Sequence, residues 1–320
     1  MRPHALLQLL QSVQLQTLYP EEILIIDGSS NKETEAVICE NQFRNLHYFL
    51  VSENVKGLTK QRNFGLDKVA DTSSIIAFLD DDTELTPNYF EELIKTFADN
   101  QEISGVGGVA INENGWSLTE PNKKYDPNRY FQFEGSVYKE GQRNVMRNVL
   151  GLQSNLGPGR IPDYSHGKTC GFPLNGKTYE VDLLIGMSFA FRKKVFDSLR
   201  FSTYFEGYGL YEDADFSIRA LQFGKNAINT KVQLRHYHHP SGRPNHYKYG
   251  KMVVRNGWYL WRRKNPQPNL NAKLKWHSIT ILLTIIRFGN TFTTSDGKEA
   301  FVEALGRMVG WWSLLIDKPK

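Results

Sequence analysis

The stretch SIIAFLDDD, residues 74–82, decides how this chain is read. A continuous apolar run of this length, bounded by polar residues, reads as a buried strand, and it runs straight into Asp80, Asp81 and Asp82. Three consecutive carboxylates repel one another, and their ionisation is costly unless a cation or a set of donors faces them. Mg²⁺ and Mn²⁺ favour such oxygen ligands and keep waters or substrate phosphates in their remaining positions. At a strand end, two of the three can hold one metal against a diphosphate. An acidic turn or helix cap ahead of Pro87 accounts for the same residues.

Upstream, Pro3 to Gln16 reads as a helix, with Pro3 in its first turn and Leu6, Leu7, Leu10 and Val13 as its apolar stripe. Glu22 to Ile26 reads as a strand closing on Asp27-Gly28-Ser29-Ser30, Asn45 to Val51 as the next, and Gly57 to Ala70 as a helix. Pro87 opens a helix to Asp99. This alternation predicts an α/β layer with a mostly parallel sheet and helices on both faces, whose ligands bind beyond the carboxyl ends of the strands. Asp27 and Asp80 to Asp82 then share one crevice.

Downstream, Asn112 to Thr178 has no clean period and is rich in Asn, Gly, Tyr and Phe, the signature of a functional loop or lid. Leu183 to Phe191 is apolar again, and Asp213 to Phe223 is a helix ended by Gly224. Its start, Tyr211-Glu212-Asp213-Ala214-Asp215, follows a glycine-jointed aromatic segment from Tyr204. Acidic residues suit a helix N-terminus, but capping does not explain that approach, which lets backbone come close to a sugar while a carboxylate is presented. His236-Tyr237-His238-His239 suits metal or phosphate, or a tight surface turn, and matches no zinc spacing.

The composition is that of a folded globular chain: 320 residues, 40% hydrophobic, 23% charged, net charge +5. Cys39 and Cys170 form no zinc pattern and read as reduced, compatible with a cytoplasmic location. There is no signal-like leader, and no run reaches the length that spans a bilayer; Ile279 to Ile286 reads as a fully buried helix, with membrane contact as its alternative. From Phe216 through Ser295 there is no Asp or Glu, while Lys231, Arg262, Arg263, Lys264, Lys273 and others fall inside that window. Such a one-sign field attracts an anion such as a diphosphate or a phospholipid surface, or forms a solvated face.

Taken in order, Asp27-Gly28-Ser29, Gln61-Arg62-Asn63-Phe64-Gly65-Leu66, Phe78 to Asp82, Gly186 to Arg192, and Glu212-Asp213 resemble the inverting family 2 glycosyltransferases of the GT-A fold, over roughly residues 2–266. The resemblance implies a metal-dependent transfer, with Mn²⁺ or Mg²⁺, from a nucleotide-sugar to a glycan or lipid-linked acceptor. It implies that Asp80 and Asp82 form the DXD-type metal and diphosphate motif, with Asp81 beside them. Asp27 matches the base-recognising acid, Arg62 and Asn63 the nucleotide pocket, and Asp213 the general base. Met187, Ser188, Tyr211 and Glu212 match the acceptor side, and either His236 or His239 matches the late histidine on the metal. Arg255-Asn256 resembles a pair found in polysaccharide-building members. Two departures stand out. Ile26 precedes Asp27 where many members have a second aspartate, and the family's first strand has no counterpart before Arg2, which implies a less stable or inactive form.

The resulting expectation is a catalytic domain over 1–250, with a nucleotide-sugar half (1–110) and an acceptor half (111–250). A basic-aromatic helical extension over 251–320 follows, with peripheral contact to an anionic membrane at its inner face. A nucleotidyltransferase would share the metal carboxylates, but the N-terminal region has no glycine-rich basic phosphate loop. A nucleic-acid partner is not expected: it would use the basic stretch and leave the three aspartates unexplained.

Overall fold

The computed structural model describes residues 2–205, 207–238 and 245–319. In chain order its elements are α1 (Pro3–Gln14), β1 (Ile23–Asp27), α2 (Glu33–Asn41), β2 (Leu46–Leu50), α3 (Leu58–Leu66), β3 (Ile75–Leu79), β4 (Thr83–Leu85), α4 (Tyr89–Asp99) and β5 (Ile103–Ala110). Then come β6 (Trp116–Leu118), β7 (Tyr130–Phe133), β8 (Ser136–Lys139), α5 (Gln142–Val149), β9 (Thr178–Val181) and β10 (Ser188–Arg192). The chain closes with α6 (Glu212–Ala220), β11 (Lys225–His236), α7 (His246–Lys264), α8 (Leu270–Thr293) and α9 (Gly297–Ile316). It divides into two compact units, Met1–Asn114 with Leu174–Ser241, and Gly115–Pro173 with Gly242–Lys320.

The first unit is an α/β layer on a sheet ordered β3-β10-β5-β11-β4, with β9 against β11. This sheet is mixed where the sequence suggested a mostly parallel one. β5 and β11 run parallel, as do β1 and β2, but β10 returns between β3 and β5 antiparallel to both. Among the described residues β1 pairs only with β2 and β3 only with β10. β5, Ile-Ser-Gly-Val-Gly-Gly-Val-Ala, is buried over its first seven residues, and its glycines make room for neighbours: a Cβ on Gly105 would lie 2.5 Å from the Phe191 ring. One core joins Leu6, Leu10 and Val13 of α1 to Tyr89, Leu93 and Phe97 of α4 and to Val106, Ala190 and Leu234 of the sheet. Polar side chains fix α1 there, since Ser12 Oγ accepts from Leu85 N–H at 3.0 Å and Gln16 donates to Thr86 O at 2.7 Å.

Register brings the functional segments to one edge. Ser188 lies opposite Leu79, so the residues before β10 meet those after β3, and His236 at the end of β11 lies opposite Thr83.

In the second unit the stretch without period forms a small antiparallel sheet, β6-β8-β7, followed by α5. Its aromatic residues pack on each other, with the Trp116 ring 5.4–6.1 Å from Tyr138, Phe131 and Phe133. These rings share one face, since Tyr138 lies opposite both Trp116 and Phe131, and strands of three or four residues are too short for their alternation to stand out. The helical part is centred on Trp258, Trp261 and Trp276, with Trp261 stacked on Trp276 at 5.5 Å and donating to Asp163 O at 2.6 Å. Ile279 to Ile286 is not the fully buried helix suggested above: Ile279 is buried, but Ile281 and Ile285 are 41% and 62% exposed. Buried Glu303 of α9 accepts from Arg287 at 2.8 Å and from Arg307 at 2.9 Å, which satisfies all three charges.

α7 and α9 meet backbone to backbone at glycines. A Cβ on Gly306 would lie 2.1 Å from Tyr247 O, and one on Gly250 2.1 Å from Glu303 O. Helix propensity alone favours alanine over mid-helix glycine by about 1 kcal/mol. Close packing reverses that sign, because a carbonyl in a helix cannot retreat. Gly306→Ala is therefore expected to destabilise by about 2 kcal/mol or more in urea unfolding, and a stabilising result would contradict this packing.

Candidate active site

Asp80, Asp81 and Asp82 leave β3 as the acidic turn, and Asp80 N–H donates to Met187 O at 3.1 Å, which ties this turn to the start of β10. Asp82 is buried, and its Oδ1 lies 3.5 Å from His236 Nε2. The ligand atoms of Asp80, Asp82 and His236 all lie within 4.8 Å of one another. Two carboxylates and an imidazole suit Mn²⁺ or Mg²⁺ chemically, with imidazole favouring the transition metal. The cluster also attracts a cation from its own chain. Arg2 donates to Asp82 Oδ2 at 2.7 Å and closely to Asp81, so it takes the other oxygen of Asp82 from the one that faces His236.

Glu113, in the short 3-10 turn that follows β5, was not singled out in the sequence, and neither was Arg2. Glu113 Oε1 lies 3.0 Å from His236 Nδ1 and 2.7 Å from His238 Nε2. A carboxylate on Nδ1 orients the ring so that Nε2 faces Asp82. The hydrogen bond to Asp82 raises the His236 pKa against the opposing effect of burial, and the charges of Asp82, Glu113 and Asp80 add to the rise. His239 lies outside the described residues.

Arg62 of α3 links this cluster to α6. Its Nη1 donates to Glu212 Oε1 at 2.5 Å, and its Nη2 lies 3.7 Å from Asp80 Oδ1. The guanidinium sits against the rings of Phe189, Phe201 and Phe78 at 5.0–5.8 Å. Burial alone would pull its pKa down, but Glu212, Asp80 and Asp213 outweigh that and raise it. Desolvation pushes the Asp80 carboxyl up to about 6, against the pull of Arg62 and with Asp82 adding to the rise. Because 37% of the Asp80 side chain is open, water tempers that rise.

α6 is preceded by Tyr211, whose φ of +73° is unusual for a residue with a side chain. That turn aims Glu212 and Asp213 back toward Gly186. Asp213 Oδ2 accepts from Gly186 N–H at 2.8 Å, and Oδ1 from Ala214 N–H at 2.8 Å. Glycine at 186 gives room for this approach, since a Cβ there would sit 3.3 Å from both side chains, tighter than an ordinary contact. Glu212 is buried, and its Oε2 has no partner among the described residues.

The remaining sequence candidates are engaged in the fold. Asp27 is fully buried, accepting from Ser29 N–H at 2.7 Å and from Tyr48 OH at 2.8 Å. Asn63 is clamped to the backbone of Phe201 at both ends of its amide, each at 2.9 Å. Met187 faces the core, and Ser188 Oγ bonds Tyr89 OH at 2.7 Å and accepts from Gly108 N–H at 3.3 Å. The geometry thus brings together Arg62, Asp80, Asp82, Glu212, Asp213 and His236, while Asn63, Met187 and Ser188 support them from behind.

Desolvation raises the Glu212 pKa from 4.5 to about 7, opposed by Arg62 and helped by Asp213. The folded state therefore keeps this proton to higher pH than the unfolded chain. Its contribution to stability is complete below about 4.5 and is lost as pH rises through about 7, up to about 3 kcal/mol. Glu212→Gln is expected to flatten that part of the urea-midpoint profile, and an unchanged slope would contradict the shift.

Comparison with known proteins agrees with this geometry. Residues 1–153 match the family described as Glycosyl transferase family 2. A glucosyl-dolichyl phosphate glucuronosyltransferase of Haloferax volcanii is 24% identical over 127 residues, 39% of this chain and 38% of that protein, so the matched part spans well under half of the relative. Among solved structures, the mannosyltransferase PcManGT of Pyrobaculum calidifontis, in complex with GDP-Man and Mn²⁺, aligns with a TM-score of 0.52 at 13% identity, covering 99% of this chain and 85% of that one. GalNAc-T7 with UDP, GalNAc and Mn²⁺ aligns with a TM-score of 0.51 at 17% identity over 85% of this chain and 51% of the other. Residues 1–153, just under half of the chain, are thus similar to glycosyl transferase family 2, and the fold is that of the GT-A glycosyltransferases.

Proposed function

We propose that this protein transfers a sugar from a nucleoside-diphosphate sugar to the hydroxyl of a glycan or lipid-linked acceptor, with inversion at the anomeric carbon. The observation that carries the reading is the single buried guanidinium of Arg62 reaching both Asp80 and Glu212, so that a cation-binding cluster and a presented carboxylate share one site.

Asp82, Asp80 and His236 would hold Mn²⁺ or Mg²⁺, which when bound supplies positive charge for a diphosphate leaving group. Asp213 takes the proton of the acceptor hydroxyl as that oxygen attacks the anomeric carbon. Its two backbone donors, Gly186 and Ala214, fix the carboxylate while leaving each oxygen a free lone pair for the proton. Arg62 keeps Glu212 and Asp80 from destabilising a third negative charge at Asp213. Tyr211 and Glu212 line the acceptor side, and Asp27 and Asp81 belong to the nucleotide side. Positioning and charge stabilisation supply most of the rate. The likeness over 127 residues to a glucosyl-dolichyl phosphate glucuronosyltransferase supports a lipid-linked acceptor and peripheral contact with an anionic membrane.

The test is nucleoside diphosphate release from a panel of nucleotide-sugars with Mn²⁺ or Mg²⁺, with and without a glycan or lipid extract. Asp213→Asn is expected to lower turnover at least about 100-fold with nucleotide binding nearly intact. Asp82→Ala is expected to weaken both. Equal loss of donor binding in the two variants would contradict these roles.

A further inference from the structure

The second unit holds a feature that the transfer reaction does not use. A cavity of about 530 Å³ at the open end of the α8–α9 hairpin is lined by Trp258, Tyr259, Arg262, Arg263, Lys273 and Lys318 among others, and by no acidic residue. None of its four cations makes an ion pair among the described residues. Arg263 donates to Tyr259 OH at 2.9 and 3.1 Å, Arg262 donates to Pro266 O, and Lys318 lies 5.8 Å from the Trp258 ring. The other three arginines of α7, α8 and α9 are matched: Arg255 with Asp317, and Arg287 and Arg307 with Glu303. Four like charges gathered around one cavity favour an anion within it.

The surface beside the cavity is apolar. On α8 the exposed large residues are Leu270, Leu274, Ile281, Ile285, Phe288 and Phe292, at steps of four, seven, four, three and four, which is one stripe of a helix. On α9, Met308, Trp312, Leu315 and Ile316 repeat the pattern, with Trp312 57% and Ile316 92% exposed. Phe288 and Phe301 touch at 5.7 Å and join the two stripes at the closed end of the hairpin. Lys273 adjoins Leu274, and Lys318 follows Ile316 by two residues, so cations and stripes share the open end. No helix among the described residues is long and apolar enough to cross a membrane, so a bilayer contact of this kind lies in the interface, apolar face inward and cations at headgroup level.

We propose that the α8–α9 hairpin docks on an anionic phospholipid bilayer, with a headgroup phosphate in the cavity formed by Arg262, Arg263, Lys273 and Lys318 and the apolar stripes in the acyl boundary. Soluble phosphate would leave the stripes without purpose. A second copy of the chain would cover the stripes, but in a two-fold arrangement it would bring two sets of unpaired cations toward each other. The proposal extends the membrane-contact part of the proposed function and stands independently of the sugar-transfer chemistry.

The test is flotation of the full chain with vesicles of phosphatidylcholine alone or mixed with phosphatidylglycerol. Binding is expected to the mixed vesicles and to weaken with salt. Lys273→Gln with Lys318→Gln should weaken it roughly 25-fold, at about fivefold per cation. Trp312→Ser with Ile316→Ser should remove it while the far-ultraviolet spectrum is kept. Nucleoside diphosphate release by the lysine variant with a soluble acceptor is expected to be unchanged, so a failed flotation and a failed transfer reaction are separate results. Three outcomes would overturn the proposal: equal binding to both vesicle types, inorganic phosphate binding with no vesicle partition, or a wild-type dimer that Ile316→Ser dissociates with no vesicle partition.

Discussion

The guanidinium of Arg62, held between Asp80 and Glu212 and walled by three phenylalanines, is the contact on which the site depends. Without it, the buried carboxyls of Asp80 and Glu212 would lose the positive charge that opposes their desolvation, and both would resist ionisation more strongly. With it, the ends of three elements converge: the turn after β3, the approach to β10 through Gly186, and the first turn of α6. Asn63, one residue on, locks Phe201 by both ends of its amide and so keeps one wall of the box in place.

Charge is balanced differently at the two ends of this site. Deep inside, Arg62 is permanent, because a guanidinium does not give up its proton. At the carboxylate turn, Arg2 and His236 approach Asp82 from two directions. Glu113 holds the imidazole from behind and fixes which nitrogen faces the carboxylate, the outer-shell arrangement expected of a histidine prepared for a cation.

Much of this was legible in the sequence, and particular residues show why the rest was not. SIIAFLDDD announced both a strand and the acidic turn that closes it because the apolar run and the three aspartates are contiguous. Glu212-Asp213 and His236 were visible because they open or close elements. Glu113 and Arg2 carried no local signal: they reach His236 and Asp82 across separations of 123 and 80 residues, which only the fold closes. The mixed direction of the sheet was hidden for a similar reason, since β10 inserts between strands that precede it. α2 and the glycine-rich β5 escaped pattern reading, the latter because its glycines mark close approach rather than a turn. Asn63, Met187 and Ser188 lie in the right segments, yet their side chains are directed to the core and backbone, a distinction that motif position does not carry.

The site and the helical part use cations in contrasting ways: Arg62 is matched to a buried carboxylate, whereas four cations surround a cavity that no acidic residue lines. The central claim is that Asp80, Asp82 and His236 form a divalent-cation site serving a diphosphate. Its most direct test is the anomalous scattering of Mn²⁺ in crystals grown with a nucleoside diphosphate. The account predicts one peak touching Asp82 and His236, with diphosphate oxygens on its far side and Arg2 moved off Asp82. Nucleotide bound elsewhere, or Arg2 still seated on Asp82 with no peak beside it, would contradict it.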